Sequence, residues 1–335
     1  MLGLSDREFK IIRNLIIVTT GIFFFMLSYC FFRAKIFQLE RVVSRELEIK
    51  DTTVHFLNTG NSDCILVKGE KTILIDGADN NDENMIVAYL KKEGIKQIDY
   101  MIATHNHKDH IGSLDRVIKE FEVKNILVSN GKLDTKAYYE FIDAMDFKSI
   151  IPKIPSEGEL IVLGEDSYIK IYNTKGGTYT NDESLITLYC NGTDKFLFAG
   201  DAEKTTEERV LEKMEKVDVL KIGHHGSASS TTEIFLDKLK PQYAVITNSE
   251  SNVYANPAKE VMKRLKERNI EVHRTDECGH VVFLSTGNGI FTECGIGSYG
   301  YRTVKEVKGV AKNVATSFLL NNNSCNRASI FNIIC

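Results

Sequence analysis

At 335 residues with 43% hydrophobic content, the chain is long enough for one large domain or two small ones. Its formal charge of −4 excludes a general electrostatic attraction to nucleic acid, so any such binding would need a local basic surface. Seven scattered cysteines with no C-x-x-C pair exclude a zinc ribbon and a dithiol redox motif.

The first element runs from Leu15 to Phe32, 18 residues without a charge between Arg13 and Arg33. A helix needs about 20 apolar residues to cross a bilayer, so this segment is just long enough. No small-x-small cleavage site follows it, which favours an uncleaved membrane anchor over residues 1–35 rather than a removed leader. Residues 36–51 read as a charged linker. Strands are predicted over 54–57, 64–67 and 72–75, then a helix over 83–93 that stops at Gly94. A strand over 98–103, a helix over 114–121, a strand over 125–128 and a helix over 135–145 complete the first half. Short strands follow over 160–162, 168–172, 185–189 and 196–198. The second half alternates helix 202–214, strand 217–222, helix 233–239, strand 243–247 and helix 258–268, and closes with strands 281–284 and 289–292. Residues 296–335 form a tail to which no role is assigned.

The densest chemistry lies at Thr104-His105-Asn106-His107-Lys108-Asp109-His110, where three of the chain's eight histidines and a carboxylate follow a buried-looking strand. A loop at a strand end can aim imidazoles and a carboxylate at one point, and these are ligands that zinc, manganese and iron accept. The two halves look duplicated. In each, a strand ends in an aspartate (Asp76, Asp201), a helix follows, and the next strand ends in histidine (His105, His224). Two such halves packed sheet to sheet would make a four-layer αββα sandwich with one site in the cleft. Asp76, at a strand end before Gly77, is read as holding backbone amides and a ligand imidazole rather than an ion. Asp201 also suits a helix N-cap. His55 reads as a satisfied structural imidazole, and Asp63 as a loop residue near the cleft.

H-x-H-x-D-H after a strand resembles the metal-binding signature of the metallo-β-lactamase-fold hydrolases. Residues 53–67, Leu74-Ile75-Asp76-Gly77, Phe198-Ala199-Gly200-Asp201 and Asp-Val-Leu-Lys-Ile-Gly-His-His-Gly-Ser over 218–227 occur in the order found in the hydrolase domain of the ComEC competence proteins, which are DNA-uptake channels. The resemblance implies an α/β metallo-β-lactamase sandwich over about 52–295 that uses two divalent ions, zinc or manganese, and no organic cofactor. It places His105 and His107 on one ion, Asp109 and His110 on the other, and Asp201 between them. One of His224 and His225 would complete the second ion, and the other would meet substrate. Asp109 and His225 are the catalytic candidates, with water activated by the ions as nucleophile. No histidine occurs between His110 and His224, so the first ion has two firm ligands and is expected to be weakly held unless Asp182 or substrate contributes. Ser184 lies in the same segment, and Ser227 follows the histidine pair in a loop suited to phosphate oxygens. The expected function is that of a membrane-anchored, extracytoplasmic phosphodiesterase, a nuclease on single-stranded DNA. A phosphodiesterase for phosphocholine or teichoic-acid diesters and a non-catalytic metal-binding module are the alternatives. With one span and no channel, the chain is not expected to be a complete uptake protein.

Overall fold

The computed structural model describes residues 51–174, 180–249 and 254–301, with scattered positions between 10 and 35. Most of the 15–32 segment, the linker to residue 50 and the tail from 302 lie outside the described residues. Among the described residues no helix is long and apolar enough to cross a membrane. The chain divides into two units, Met1–Lys50 and Asp51–Cys335.

The second unit holds fourteen strands among the described residues. They are β1 (Thr52–Phe56), β2 (Ile65–Lys68), β3 (Thr72–Ile75), β4 (Gln97–Ala103), β5 (Glu122–Val128), β6 (Leu160–Val162) and β7 (Ser167–Ile171) in the first part of the chain. The remainder are β8 (Thr187–Asn191), β9 (Asp194–Phe198), β10 (Val219–Lys221), β11 (Tyr243–Ile246), β12 (Glu271–Arg274), β13 (Val281–Ser285) and β14 (Ile290–Thr292). They form two seven-stranded sheets, ordered β14-β13-β1-β2-β3-β4-β5 and β12-β11-β10-β9-β8-β7-β6. Each sheet is mixed. β3, β4 and β5 run parallel, as do β9 through β12, while the strands preceding them pair antiparallel.

Strand alternation explains the layering. Ile73 and Ile75 face the other sheet while Leu74 faces helices; Phe196 and Phe198 do the same around Leu197. Strands apolar on both faces must be covered on both. The result is three cores. One lies between the sheets, built on Val54, Phe56, Ile65, Ile171, Phe198 and Val245. One lies under helices Glu83–Lys92, Leu114–Glu120 and Lys136–Phe147, and one under Lys204–Val210, Glu233–Leu239 and Lys259–Glu267. This is the αββα sandwich expected from the duplicated pattern.

The departures from expectation have local causes. β8 starts at Thr187 rather than 185, because the Leu185 amide leaves the sheet to donate to Thr104 O at 2.9 Å. The helix after Asp201 starts at Lys204 with Glu203 at the N-cap, so Asp201 is not a cap. β12 carries His273, whose position reads as strand in the sequence; it pairs parallel with β11, and Gly297 N donates to Val272 O at 2.6 Å. Cys278 and Cys294 pair as a disulfide with Cα atoms 6.0 Å apart, a separation typical of such bonds.

One close approach fixes the loop after β4 in place. A Cβ on Gly112 would lie 2.5 Å from Asn80 N, 2.6 Å from Lys108 O and 2.7 Å from Ala78 O. All three are backbone atoms and cannot swing aside. Gly112→Ala should therefore lower stability by about 1–3 kcal/mol, read as a lower urea midpoint with an unchanged m-value. A midpoint at the parental value would show that the loop is not pressed against the 78–80 turn.

Candidate metal centre

The candidate residues lie at the carboxyl ends of the parallel strands, where open α/β sheets place their sites. Asp76 follows β3, His105 follows β4, Asp201 follows β9, His225 follows β10 and Thr247 follows β11. Asp76 adopts φ 60°. Its carboxylate accepts from Thr104 N at 2.8 Å, Thr104 Oγ1 at 2.7 Å and His110 Nδ1 at 2.7 Å. Because His110 Nδ1 carries the donated proton, its Nε2 lone pair faces the cleft. His110 and Asp109 sit on the single helical turn Lys108–Ile111, which starts directly after His107. That turn splits the motif, sending His107 to one side and His110 to the other.

The His224–His225 pair is sorted by backbone. Both residues are left-handed, at φ 49° and φ 52°, between Gly223 and Gly226. Such conformations cost free energy and persist only where surroundings enforce them. The turn buries His225, whereas the His224 side chain is 30% exposed. His225 Nδ1 donates to Thr247 O at 3.1 Å. A carbonyl can only accept, so the His225 Nε2 lone pair also faces the cleft. His224 Nδ1 instead lies 3.3 Å from Glu203 Oε1, and its Nε2 lies 3.8 Å from Asp201 Oδ2.

Two groups of ligand atoms each lie within 4.8 Å of one another: His105, His107 and Asp201, and Asp63, His110, Asp201 and His225. Asp201 belongs to both. His224 and Asp109, both expected as ligands, belong to neither. Asp63 is a poor ligand on orientation, because it stands 3.6 Å from His225 Nδ1 and 4.0 Å from His110 Nδ1, behind both rings. Asp109, half-buried, brings Oδ2 to 3.6 Å from His225 Nε2 on the cleft side.

A divalent ion fits this set. His110 Nε2, His225 Nε2 and Asp201 Oδ1 are buried and make no hydrogen bond among the described residues. Buried polar atoms are rarely left so, and three converging lone pairs match what a cation requires. Burial opposes charge on His110, yet the Asp201 and Asp76 carboxylates outweigh it and hold its pKa well above the ordinary histidine value. The proton held there is the charge an ion would displace. His105 goes the other way, pushed well down by burial and by neighbouring His110. Against the cost of burial, His225 and His110 hold the Asp109 carboxyl far below its usual range.

The remaining expected residues divide. Ser184 Oγ accepts from Asp201 N at 3.1 Å and lies 3.4 Å from His105 Nδ1, so it positions both. Asp182 turns away, accepting from Thr206 Oγ1 at 2.9 Å, and joins neither ligand group. Ser227 stays at the rim beside Ser229, with hydroxyls 3.0 Å apart. His55 is satisfied by Tyr89 Oη and Thr53 Oγ1, both at 2.7 Å, as a structural imidazole. Sequence reasoning missed Lys221, Thr247 and Glu203. A lysine inside the apolar run Val219-Leu220-Lys221-Ile222 was the one signal that could have found the first.

Two mixed sheets between helical layers, with histidine and aspartate clusters at strand ends, define a metal-dependent hydrolase fold. The chain belongs to the metallo-beta-lactamase superfamily, whose family model matches residues 57–247, more than half of the chain. It is similar to ComE operon protein 3 of Bacillus subtilis, 29% identical over 204 residues covering 60% of this chain and 26% of that protein. Recombination protein 2 of Haemophilus influenzae is 28% identical over 225 residues, 65% of this chain and 26% of that protein. A probable metallo-hydrolase of Methanocaldococcus jannaschii is 34% identical over 183 residues, 46% of this chain and 85% of that protein. The chain thus spans about a quarter of the length of the first two relatives.

Proposed function

We propose that the chain is a metal-dependent phosphodiesterase that cleaves single-stranded DNA. The observation that carries this is Asp201, one buried carboxylate shared by two inward-facing ligand groups. Divalent ions there would act as Lewis acids on a phosphoryl oxygen and lower the pKa of attacking water. Around them, His110 and His225 present Nε2, held by Asp76 and Thr247, while Asp109 closes the cleft side and orients the nucleophile. His105 and His107 supply two nitrogens, as His110 and His225 do, but only Asp201 joins them, so this group has three ligand residues. So small a set favours an exchangeable ion, with manganese or zinc as the candidate metals. His224 and Ser227 would meet substrate, a reading supported by their partial exposure beside the ligand groups. The relatives named for the ComE operon and for recombination support a nucleic-acid substrate.

The proposal extends to the cell surface. The apolar 15–32 segment would anchor the chain in the membrane, and the Cys278–Cys294 disulfide favours an oxidising, extracytoplasmic setting for the hydrolase unit. A small envelope phosphodiester is the second reading, favoured by the net charge of −4, which exerts no general pull on DNA.

Purified full-length chain should cleave single-stranded DNA with added manganese. Activity should fall with salt as phosphate contacts are screened, and Asp109→Ala should lose about 10²-fold or more in kcat. Bis-(p-nitrophenyl) phosphate is assayed alongside. Turnover of that diester without DNA cleavage would replace the nuclease with the envelope enzyme, and no turnover of either would sink both.

A further inference from the structure

Lys221 ends β10 and is wholly buried. Strand alternation turns Val219 into the inter-sheet core, so Lys221, two residues on, faces the same space where that core reaches the metal centre. A buried ammonium needs a paired charge. Its partner is Asp63, also buried, from the loop between β1 and β2. The pair therefore joins the second sheet to the first. Asp63 is tied by its main chain as well: its N donates to Asp109 O at 3.1 Å and its O accepts from Ala78 N at 2.8 Å. Thr247 Oγ1 donates to Asp63 Oδ1 at 2.5 Å and lies 3.2 Å from His225 Nδ1. A polar chain thus runs from the His225 ring through Thr247 and Asp63 to Lys221.

We infer, on the footing of the metal centre proposed above and independently of its substrate, that Lys221, Asp63 and Thr247 are positioning residues for His225 and His110. Lys221 holds Asp63 behind the two rings, on their Nδ1 edges, and keeps it from swinging round to become a ligand. Asp63 and Thr247 fix the His225 ring plane and, through the Asp109 main chain, the distance between the histidine turns of the two halves. None of the three touches an ion.

A purely structural ion pair would behave differently. Replacing both members of a buried pair by neutral residues of similar size is often harmless to stability, whereas removing one strands a charge. Stability and ligand geometry can therefore be separated with the double variant Asp63→Asn/Lys221→Met. Manganese binding to the full-length chain is followed by calorimetry, and melting temperature and kinetics are measured alongside. The double variant should melt near the parental temperature yet bind the tighter manganese ion about 10–100-fold more weakly. Its kcat should fall by a similar factor while KM stays within about twofold, because substrate contacts at the rim are untouched. Thr247→Val, which keeps the carbonyl acceptor, should weaken binding in the same direction by a smaller factor. Parental manganese affinity in the double variant overturns the inference. If that variant does not fold, parental affinity in Thr247→Val overturns it. A parental chain that binds no manganese overturns the metal centre itself, and this inference with it.

Discussion

Asp201→Ala is expected to abolish turnover and strip the protein of bound metal. Asp201 is buried, and its carboxylate belongs to both ligand groups. Its Oδ2 lies 3.3 Å from His110 Nε2 and 3.8 Å from His105 Nε2, while Oδ1 lies 3.7 Å from His225 Nε2. Any peripheral ligand serves one ion, but this carboxylate would serve two, so its removal should cost more than any other single change. The expected loss in kcat/KM is on the order of 10³-fold or more, equivalent to ~4 kcal/mol of transition-state stabilisation. Metal content after gel filtration, by elemental analysis, should drop for both ions together. A variant that keeps one full equivalent of metal would show that Asp201 belongs to one ion only. Methyl for carboxylate at this position also removes the main charge holding a proton on His110, so the two measurements must be made on folded protein, checked by circular dichroism.

Asp76→Ala is expected to produce the largest loss of stability, together with a loss of metal affinity. It removes an acceptor that satisfies three donors at once, on Thr104 N, Thr104 Oγ1 and His110 Nδ1. All lie in the interior, where an unsatisfied polar group costs about 1–3 kcal/mol. With partial relaxation, a total of ~3–5 kcal/mol is expected in urea unfolding. The ion should bind about 10–100-fold more weakly, because the His110 ring loses the group that fixes its tautomer. Asp76→Asn separates the two effects. The amide keeps the volume and one acceptor, but whichever way it turns, its NH₂ meets a donor. It should therefore recover part of the stability while metal binding stays weak. Parental affinity in Asp76→Asn would mean that His110 is oriented by its neighbours' packing and not by Asp76.

Much of this molecule is written locally. The 104–110 motif names its own chemistry, since three imidazoles and a carboxylate at a strand end have few other uses. Period-two alternation in β3 and β9 announces sheets apolar on both faces, and hence helices outside both. Asp76 before Gly77 could be read as a support for a ligand, because a carboxylate at that corner faces backbone amides. Element ends were less legible where a distant contact redraws them, as when Thr104 draws Leu185 out of β8.

The sequence by itself determined the fold class and the order of its layers, which depend on periodicity, and offered candidate ligands from the 104–110 loop and, through the family resemblance, from Asp201 and the His224–His225 pair. Only the tertiary structure decided how those candidates are used. His224 and His225 are chemically identical neighbours, yet a left-handed turn buries one against Thr247 and leaves the other partly exposed between Glu203 and Asp201. Asp182 was the segment's candidate for the first ion, yet Thr206 takes it and Ser184 is the one that meets Asp201. Lys221 stands out in its apolar run and Asp63 in its loop, but that they meet is decided only when the two sheets close on each other. Which side chains then meet is set by packing between segments far apart in the chain, and no local pattern encodes it.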